Sequence, residues 1–320
     1  MNKLHMLVAW IRDLGLQPAE AVRLTTTAPY QYRHYTIPKK TGGVRDIYHP
    51  TPALKEAQRW LVRTVLAPLP THPAVHSYMP GRSIRTHADA HRDSNYLLRL
   101  DFTEFFPSID QAWIKRFLKS PTAADLVSLD TDALNLITRV LCRYNAVDRT
   151  MALSIGAPSS PFMSNVMLYA LDTELCSIAQ NHGCVYTRYA DDVYFSSRLP
   201  NKLHEVEQLF RATLLQLTPE LRVNEAKTER RSRKTRRVVT GVTITSDRRL
   251  SIGRDRKRHI RTRVHLFSIG KLELDAALQL AGLVSFANDI EPEFVLSLRR
   301  KFGDSVVNEL LTHSFSQGAA

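Results

Sequence analysis

The spacing of apolar and polar positions changes along this chain, and each change marks an element. Residues 1–30 carry apolar positions at helical spacing with a break at Gln17-Pro18, which predicts one or two helices. YRHYTIPKKTGGVRDIYHP then shows two β-rich segments around Lys39-Lys40-Thr41-Gly42-Gly43, a long-looped hairpin with a basic tip. After Pro52, ALKEAQRWLVRTVLAPL returns to helical spacing and is closed by prolines. NYLLRLD predicts a short strand ending in an acid, followed by FTEFFPSID and a helical region to about residue 143. GAPSSPFMSNVMLYALDTELCSIAQNHG begins as a loop and becomes a helix from about Ser160, ending at Gly183. Residues 185–197, VYTRYADDVYFSS, form a β-branched and aromatic run interrupted by two aspartates, which is the pattern of a hairpin strand pair. A helix near 201–217, a short RVNEAKT element and a VVTGVTI strand follow. From about residue 254 the text is helical, as three helices, with a frayed SFSQGAA end. Antiparallel strands flanked by helices define an α+β fold.

Composition narrows the class. A chain of 320 residues, 43% of them hydrophobic, has material for about two domains or one elongated multi-part fold. The N-terminal apolar stretch is broken by Arg12 and Asp13, so it reads as an amphipathic helix and not a signal sequence. No apolar run is long enough to span a membrane, and no membrane partner is expected. Cys142, Cys176 and Cys184 lack metal-ligand spacing and read as thiols of a reducing compartment, which places the protein in the cytoplasm.

The net charge of +13 is concentrated: residues 222–263 hold sixteen Lys or Arg against four Asp or Glu. Strand-like RRVVTGVTIT and helix-like RDRKRHIRTRVHLF are interleaved with that charge, so the block is folded. A solvated charged face would look similar, but a concentrated basic surface points to nucleic acid.

The paired aspartates are the candidate chemistry. Asp is at home in turns, which explains one of them better than two. Asp101 ends the strand YLLRLD, and strand ends and hairpin turns can lie beside each other in a sheet, so Asp101, Asp191 and Asp192 can converge. Three converging carboxylates need divalent cations, and hard oxygen ligands suit Mg²⁺ or Mn²⁺. Two such ions form the clamp that serves phosphoryl transfer.

YADD in a hairpin, preceded by DFTEFFPSI and by GAPSSP at the head of a helix, resembles the palm of reverse transcriptases. Within that class the chain most resembles bacterial retron reverse transcriptases, through GAPSSP, YTRYADD, YRHYTIPKKTGGVRDIYHP and the VTG of Val239, Thr240 and Gly241. The family's Asn-Ala-x-x-His is present as HADAH, where Ala88 and His91 match and His87 departs. The likeness covers roughly residues 30–245. It implies a right-hand polymerase: an N-terminal helical segment (1–30), fingers (31–95), an antiparallel-sheet palm with inserted fingers helices (96–245) and a helical, RNA-binding thumb (246–320).

The resemblance also implies roles. Asp101 and Asp191 would hold two metal ions, with Asp192 completing the acidic cluster. Phe106 falls where an aromatic excludes a nucleotide 2′-hydroxyl, although Phe102, Phe105 and Phe106 also read as core. Lys39, Lys40 and Arg45 would grip the triphosphate, Arg45 offering bidentate contacts. Gly156 would allow close backbone approach to nucleotide or template, and Ile155 stands where the family usually has Gln. Lys227 in NEAKT would lie near the triphosphate. His91 and Val239 to Gly241 would serve recognition of the retron's own RNA, and Arg254, Arg256, Lys257 and Arg258 would follow the duplex backbone. The partners implied are deoxynucleoside triphosphates, a structured noncoding template RNA with its DNA product, and a separate effector protein in defence against phage. Synthesis would begin at an RNA 2′-hydroxyl. Another small bacterial reverse transcriptase, of group II intron or diversity-generating type, and a non-catalytic RNA-binding scaffold are the alternatives.

Overall fold

A computed structural model of the chain describes residues 2–38 and 42–312. Lys39 and Lys40, expected at the hairpin tip, lie outside the described residues, as does the SFSQGAA end. Two N-terminal helices form as expected. α1 (Lys3–Leu14) starts where the Asn2 side chain accepts from His5 N at 2.9 Å and stops at Gly15, and α2 (Pro18–Thr27) has proline in its first turn. The first hairpin pairs β1 (Tyr32–Pro38) with β2 (Val44–Pro50), and α3 (Pro52–Trp60) follows. α4 (Ile84–Ala90) is opened by a Ser83–Thr86 capping box and leads into β3 (Tyr96–Asp101).

Four helices, α5 (Phe105–Ser108), α6 (Gln111–Leu118), α7 (Pro121–Leu126) and α8 (Thr131–Leu141), and a small hairpin of β4 (Arg143–Asn145) and β5 (Thr150–Ala152) come next. The single helix expected over 160–183 is two, α9 (Ser160–Met167) and α10 (Tyr169–Asn181), joined at Leu168. β6 (Cys184–Tyr189) and β7 (Asp192–Ser197) form the aspartate hairpin, and α11 (Lys202–Leu217) packs behind it. After a 3₁₀ turn at Glu225–Lys227 comes β8 (Glu229–Ser232), which the sequence does not signal.

VVTGVTI is two strands, β9 (Arg237–Val239) and β10 (Val242–Ile244), which form a three-stranded sheet with β11 (Leu250–Ser251). Thr240 and Gly241 both have positive φ, 43° and 85°, and turn the chain between them. Four described helices follow instead of three: α12 (Arg254–Ser268), α13 (Leu274–Ile290), α14 (Pro292–Phe302) and α15 (Asp304–Thr312). A division at 245–246 runs through the β9–β11 sheet, whose Val239, Val242 and Ile244, with Ile252 just beyond it, share a buried cluster with these helices.

The central sheet is antiparallel in the order β6-β7-β3-β8. Strand alternation gives it two unlike faces. Leu98, Leu100, Val193, Phe195 and Tyr186 enter the large core with Phe210 of α11. Leu97 and Tyr194 point the other way, into the cluster shared by α4, β9, β10 and the C-terminal helices. Arg99, Asp101 and Asp192 belong to that second face. Each buried Leu or Phe contributes roughly 2 kcal/mol, and a one-residue slip of β7 would turn Val193 and Phe195 away from the large core while putting Asp192 into it. The apolar face therefore fixes the register that sets Asp192 opposite Asp101.

Candidate active site

The three acids meet at one end of the sheet. Asp101 and Asp192 are register partners, and Phe102 N donates to Asp191 O at 3.2 Å, so the strand-terminal acid and the hairpin acids share one corner. Ala190 and Asp191 make the hairpin turn, with Ala190 at φ 55°. A left-handed alanine costs about 1–2 kcal/mol, so something must hold it.

Cations already engage two of the acids. Lys227 Nζ donates to both Asp101 oxygens at 2.9 and 3.1 Å, and Asn224 N donates to Asp101 O at 2.7 Å, which ties the 3₁₀ turn to the end of β3. Arg99 Nε donates to Asp192 Oδ1 at 2.9 Å. Burial nonetheless pushes Asp192 up to about 6, the charges of Asp191 and Asp101 adding to the effect while Arg99 opposes it. Burial and then the Asp101 charge raise Asp191 as well, with Lys227 and Arg45 opposing. Three carboxylates thus crowd one largely buried corner, where burial disfavours their charged forms.

Clustered carboxylates, as hard oxygen donors, suit a divalent metal, although Lys227 and Arg99 now engage Asp101 and Asp192. Among the described residues no three His, Cys, Asp or Glu side chains already stand together as an ion-holding group. The donor chemistry fits; the Asp101 carboxylate would exchange its lysine contact for the metal.

Arg45 pairs with Ile37 across the first hairpin and is exposed, and its charge reaches Asp191 and Tyr78. Phe102 and Phe105 are core, stacked at 5.7 Å, whereas Phe106 is only half-buried beside Phe105. Gly156 is required for a different reason than expected. A Cβ there would lie 2.8 Å from Tyr48 O, and Tyr48 N donates to Ile155 O at 2.8 Å, so the close approach is to the fingers strand β2.

The expected RNA-binding set divides by burial. His91 is 1% exposed, with its ring nitrogens bonded to Ser196 and Thr187 at 2.7 Å, and Val239 is fully buried. Neither offers RNA a surface; both hold α4 and β9 against the central sheet. Thr240 is half-buried and Gly241 exposed at the hairpin turn, and His87 Nδ1 meets Thr240 Oγ1 at 3.2 Å, so the HADAH and VTG segments touch. On α12, helical spacing turns Arg256 and Lys257 toward the fold: Arg256 lies over the Phe286 ring and Lys257 pairs with Glu291. Arg254 and Arg258, one turn apart, stay exposed.

Arg99, Arg188 and Asp172 also belong to this region and were not singled out from the sequence. Their signal was present in the alternation: Arg188 follows Cys184 and Tyr186 on the core-facing side of β6, where an arginine is out of place.

A match to the family described as reverse transcriptase (RNA-dependent DNA polymerase) spans residues 37–244. The chain is 35% identical over 297 residues to the Retron Ec83 reverse transcriptase of Escherichia coli, covering 92% of this chain and 94% of that protein. Against the Retron Ec73 reverse transcriptase of Escherichia coli the identity is 31% over 283 residues, covering 86% and 88%. Among solved structures, telomerase from Candida albicans superposes with a TM-score of 0.48 at 13% identity, covering 90% of this chain and 61% of that one. A right-hand polymerase of fingers, palm and thumb with RNA-directed DNA polymerase activity is thus the class that the fold and site define. The chain belongs to the reverse transcriptase family and, within it, is of the retron type.

Proposed function

We propose that this reverse transcriptase copies a structured noncoding RNA into single-stranded DNA, starting from an RNA 2′-hydroxyl and leaving a branched RNA-DNA hybrid. The observation that carries the reading is the shared corner of Asp101, Asp191 and Asp192, next to a touching pair of retron-like segments at His87 and Thr240. Two divalent ions, Mg²⁺ with Mn²⁺ as a substitute, would be held there by Asp101 and Asp191 and would neutralise the attacking and leaving oxygens. Asp192, held by Arg99, completes the acidic corner. Arg45 binds the triphosphate from the fingers, Phe106 bars a 2′-hydroxyl on the incoming sugar, and Lys227, released from Asp101, lies where pyrophosphate leaves. Arg254 and Arg258 contact the duplex backbone. Kinship with retron enzymes supports an anti-phage role beside a separate effector protein, and the free cysteines suit the cytoplasm.

The test is to express the gene with its flanking DNA, as wild type and as Asp191→Ala/Asp192→Ala, and to treat the copurifying nucleic acid with DNase and RNase. A discrete DNA joined to RNA, absent from the double variant, is expected. RNA alone in both preparations would contradict the reading.

A further inference from the structure

The turn that carries Asp191 is gripped from beneath by buried polar side chains that the proposed reaction does not use. Arg188 and Asp172 both have 0% side-chain exposure and form a two-pronged pair, Nε to Oδ1 at 2.8 Å and Nη2 to Oδ2 at 2.7 Å. Tyr186 donates a further bond to Asp172 Oδ1 at 2.6 Å. Buried ion pairs are often no more stabilising than apolar residues of the same volume, so stability alone does not account for this one.

Its remaining bonds point to a purpose. Arg188 Nη1 donates to Ala190 O at 3.1 Å and to Asn165 Oδ1 at 3.2 Å. Ala190 N donates to Ser77 Oγ at 2.8 Å, and Asn165 Nδ2 donates to Ser77 O at 3.0 Å. Both backbone groups of the left-handed Ala190 are thus bound by buried side chains, and Asn165 joins the two grips into one ring. The backbone repeats the attachment: Arg188 N donates to Ala74 O at 3.0 Å and His76 N to Arg188 O at 2.8 Å, lashing residues 74–77 to β6.

We propose that Arg188, Asp172, Asn165 and Ser77 are positioning residues that clamp Ala190 in its left-handed conformation and so aim Asp191 and Asp192. A two-residue hairpin turn needs positive φ at a central residue, and alanine resists it. Without the clamp Ala190 relaxes and the acids swing, and a misplacement of about 1 Å at a reacting centre costs on the order of a hundredfold in rate. The inference rests on Asp191 and Asp192 being the catalytic acids.

Arg188→Ala would leave the buried Asp172 carboxylate with only the Tyr186 hydroxyl and no cation, endangering folding, so Ser77→Ala is the first variant, in the full chain, on a DNA primer annealed to an RNA template. It is expected to lower kcat by about tenfold or more, with KM for the deoxynucleotide and RNA affinity changing by less than about twofold. Adding Ala190→Gly to Ser77→Ala is expected to restore most of the lost kcat, because glycine adopts positive φ freely and no longer needs the grip. A merely structural role at Ser77 would lower the melting temperature without a kcat effect that glycine suppresses. An active wild type with undiminished kcat in Ser77→Ala, or no recovery with Ala190→Gly, would overturn the clamp alone. An inactive wild type would overturn the reading of the acids and the clamp's purpose together.

Discussion

Lys227 lays its ammonium across both carboxylate oxygens of Asp101, at 2.9 and 3.1 Å, at the end of a strand where that carboxylate is 4% exposed. Asp101, proposed to hold a divalent ion, thus has both of its oxygens engaged by the lysine. Lys227→Met should therefore destabilise the metal-free protein by about 1–3 kcal/mol, the cost of an unpaired buried acceptor. Adding Mg²⁺ should raise the melting temperature of the variant more than that of the wild type. Equal shifts in both would show that lysine and metal do not exchange on Asp101.

The role proposed for Phe106, half-buried beside the core pair Phe102 and Phe105, is tested by sugar discrimination. Phe106→Ala should relax preference for deoxynucleotides over ribonucleotides by at least about tenfold, measured as the ratio of kcat/KM values. An unchanged ratio would return Phe106 to a packing role.

Much of this arrangement was legible in the sequence. The hairpin and the strand-terminal acid show because their alternation is set locally, and the core then fixes the register that brings Asp192 to Asp101. β8 was not legible: Glu229, Arg230 and Arg231 have no strand propensity, and their strand exists because β3 offers an open edge. VTG reads locally as strand plus turn through Gly241, but the bend in VVTGVTI is weakly marked because Thr240 stands where Asn or Asp is usual. The C-terminal helices divide where Pro292 starts a new helix directly after Ile290-Glu291 and where Gly303 interrupts the last run. The RNA role of His91 rested on resemblance alone; its burial comes from α4 lying against β6 and β7, which no local pattern reports.

Buried histidines predict the response to acid. Burial holds His91 at about 3 and His76 at about 4, and burial with the charges of its histidine neighbours holds His87 well below its usual value. Below about pH 6.5 the unfolded chain takes up protons that the folded chain refuses, so stability is complete above that pH and falls as pH drops toward the folded values. His91→Gln, which keeps a neutral hydrogen-bonding side chain, should remove on the order of 2 kcal/mol of the stability lost between about pH 7.5 and about pH 5. Urea unfolding at the two pH values measures this, and equal losses in both proteins would refute it.

The division of basic residues on α12 predicts two unlike phenotypes. Arg258→Ala should weaken RNA binding and reduce the slope of log affinity against log salt by about one, as loss of one phosphate contact requires. Lys257→Ala removes the partner of Glu291 and should lower the melting temperature while leaving the slope unchanged. The reverse assignment would mean that the helix presents its other face to nucleic acid.

The central claim is that the Asp101, Asp191 and Asp192 corner performs DNA synthesis, and incorporation of labelled deoxynucleotides on an RNA template by wild type and Asp191→Ala tests it most directly. The account predicts Mg²⁺-dependent synthesis by the wild type, its loss by at least about a thousandfold in Asp191→Ala, and RNA binding unchanged within about twofold. Synthesis by Asp191→Ala at a rate near wild type would contradict it.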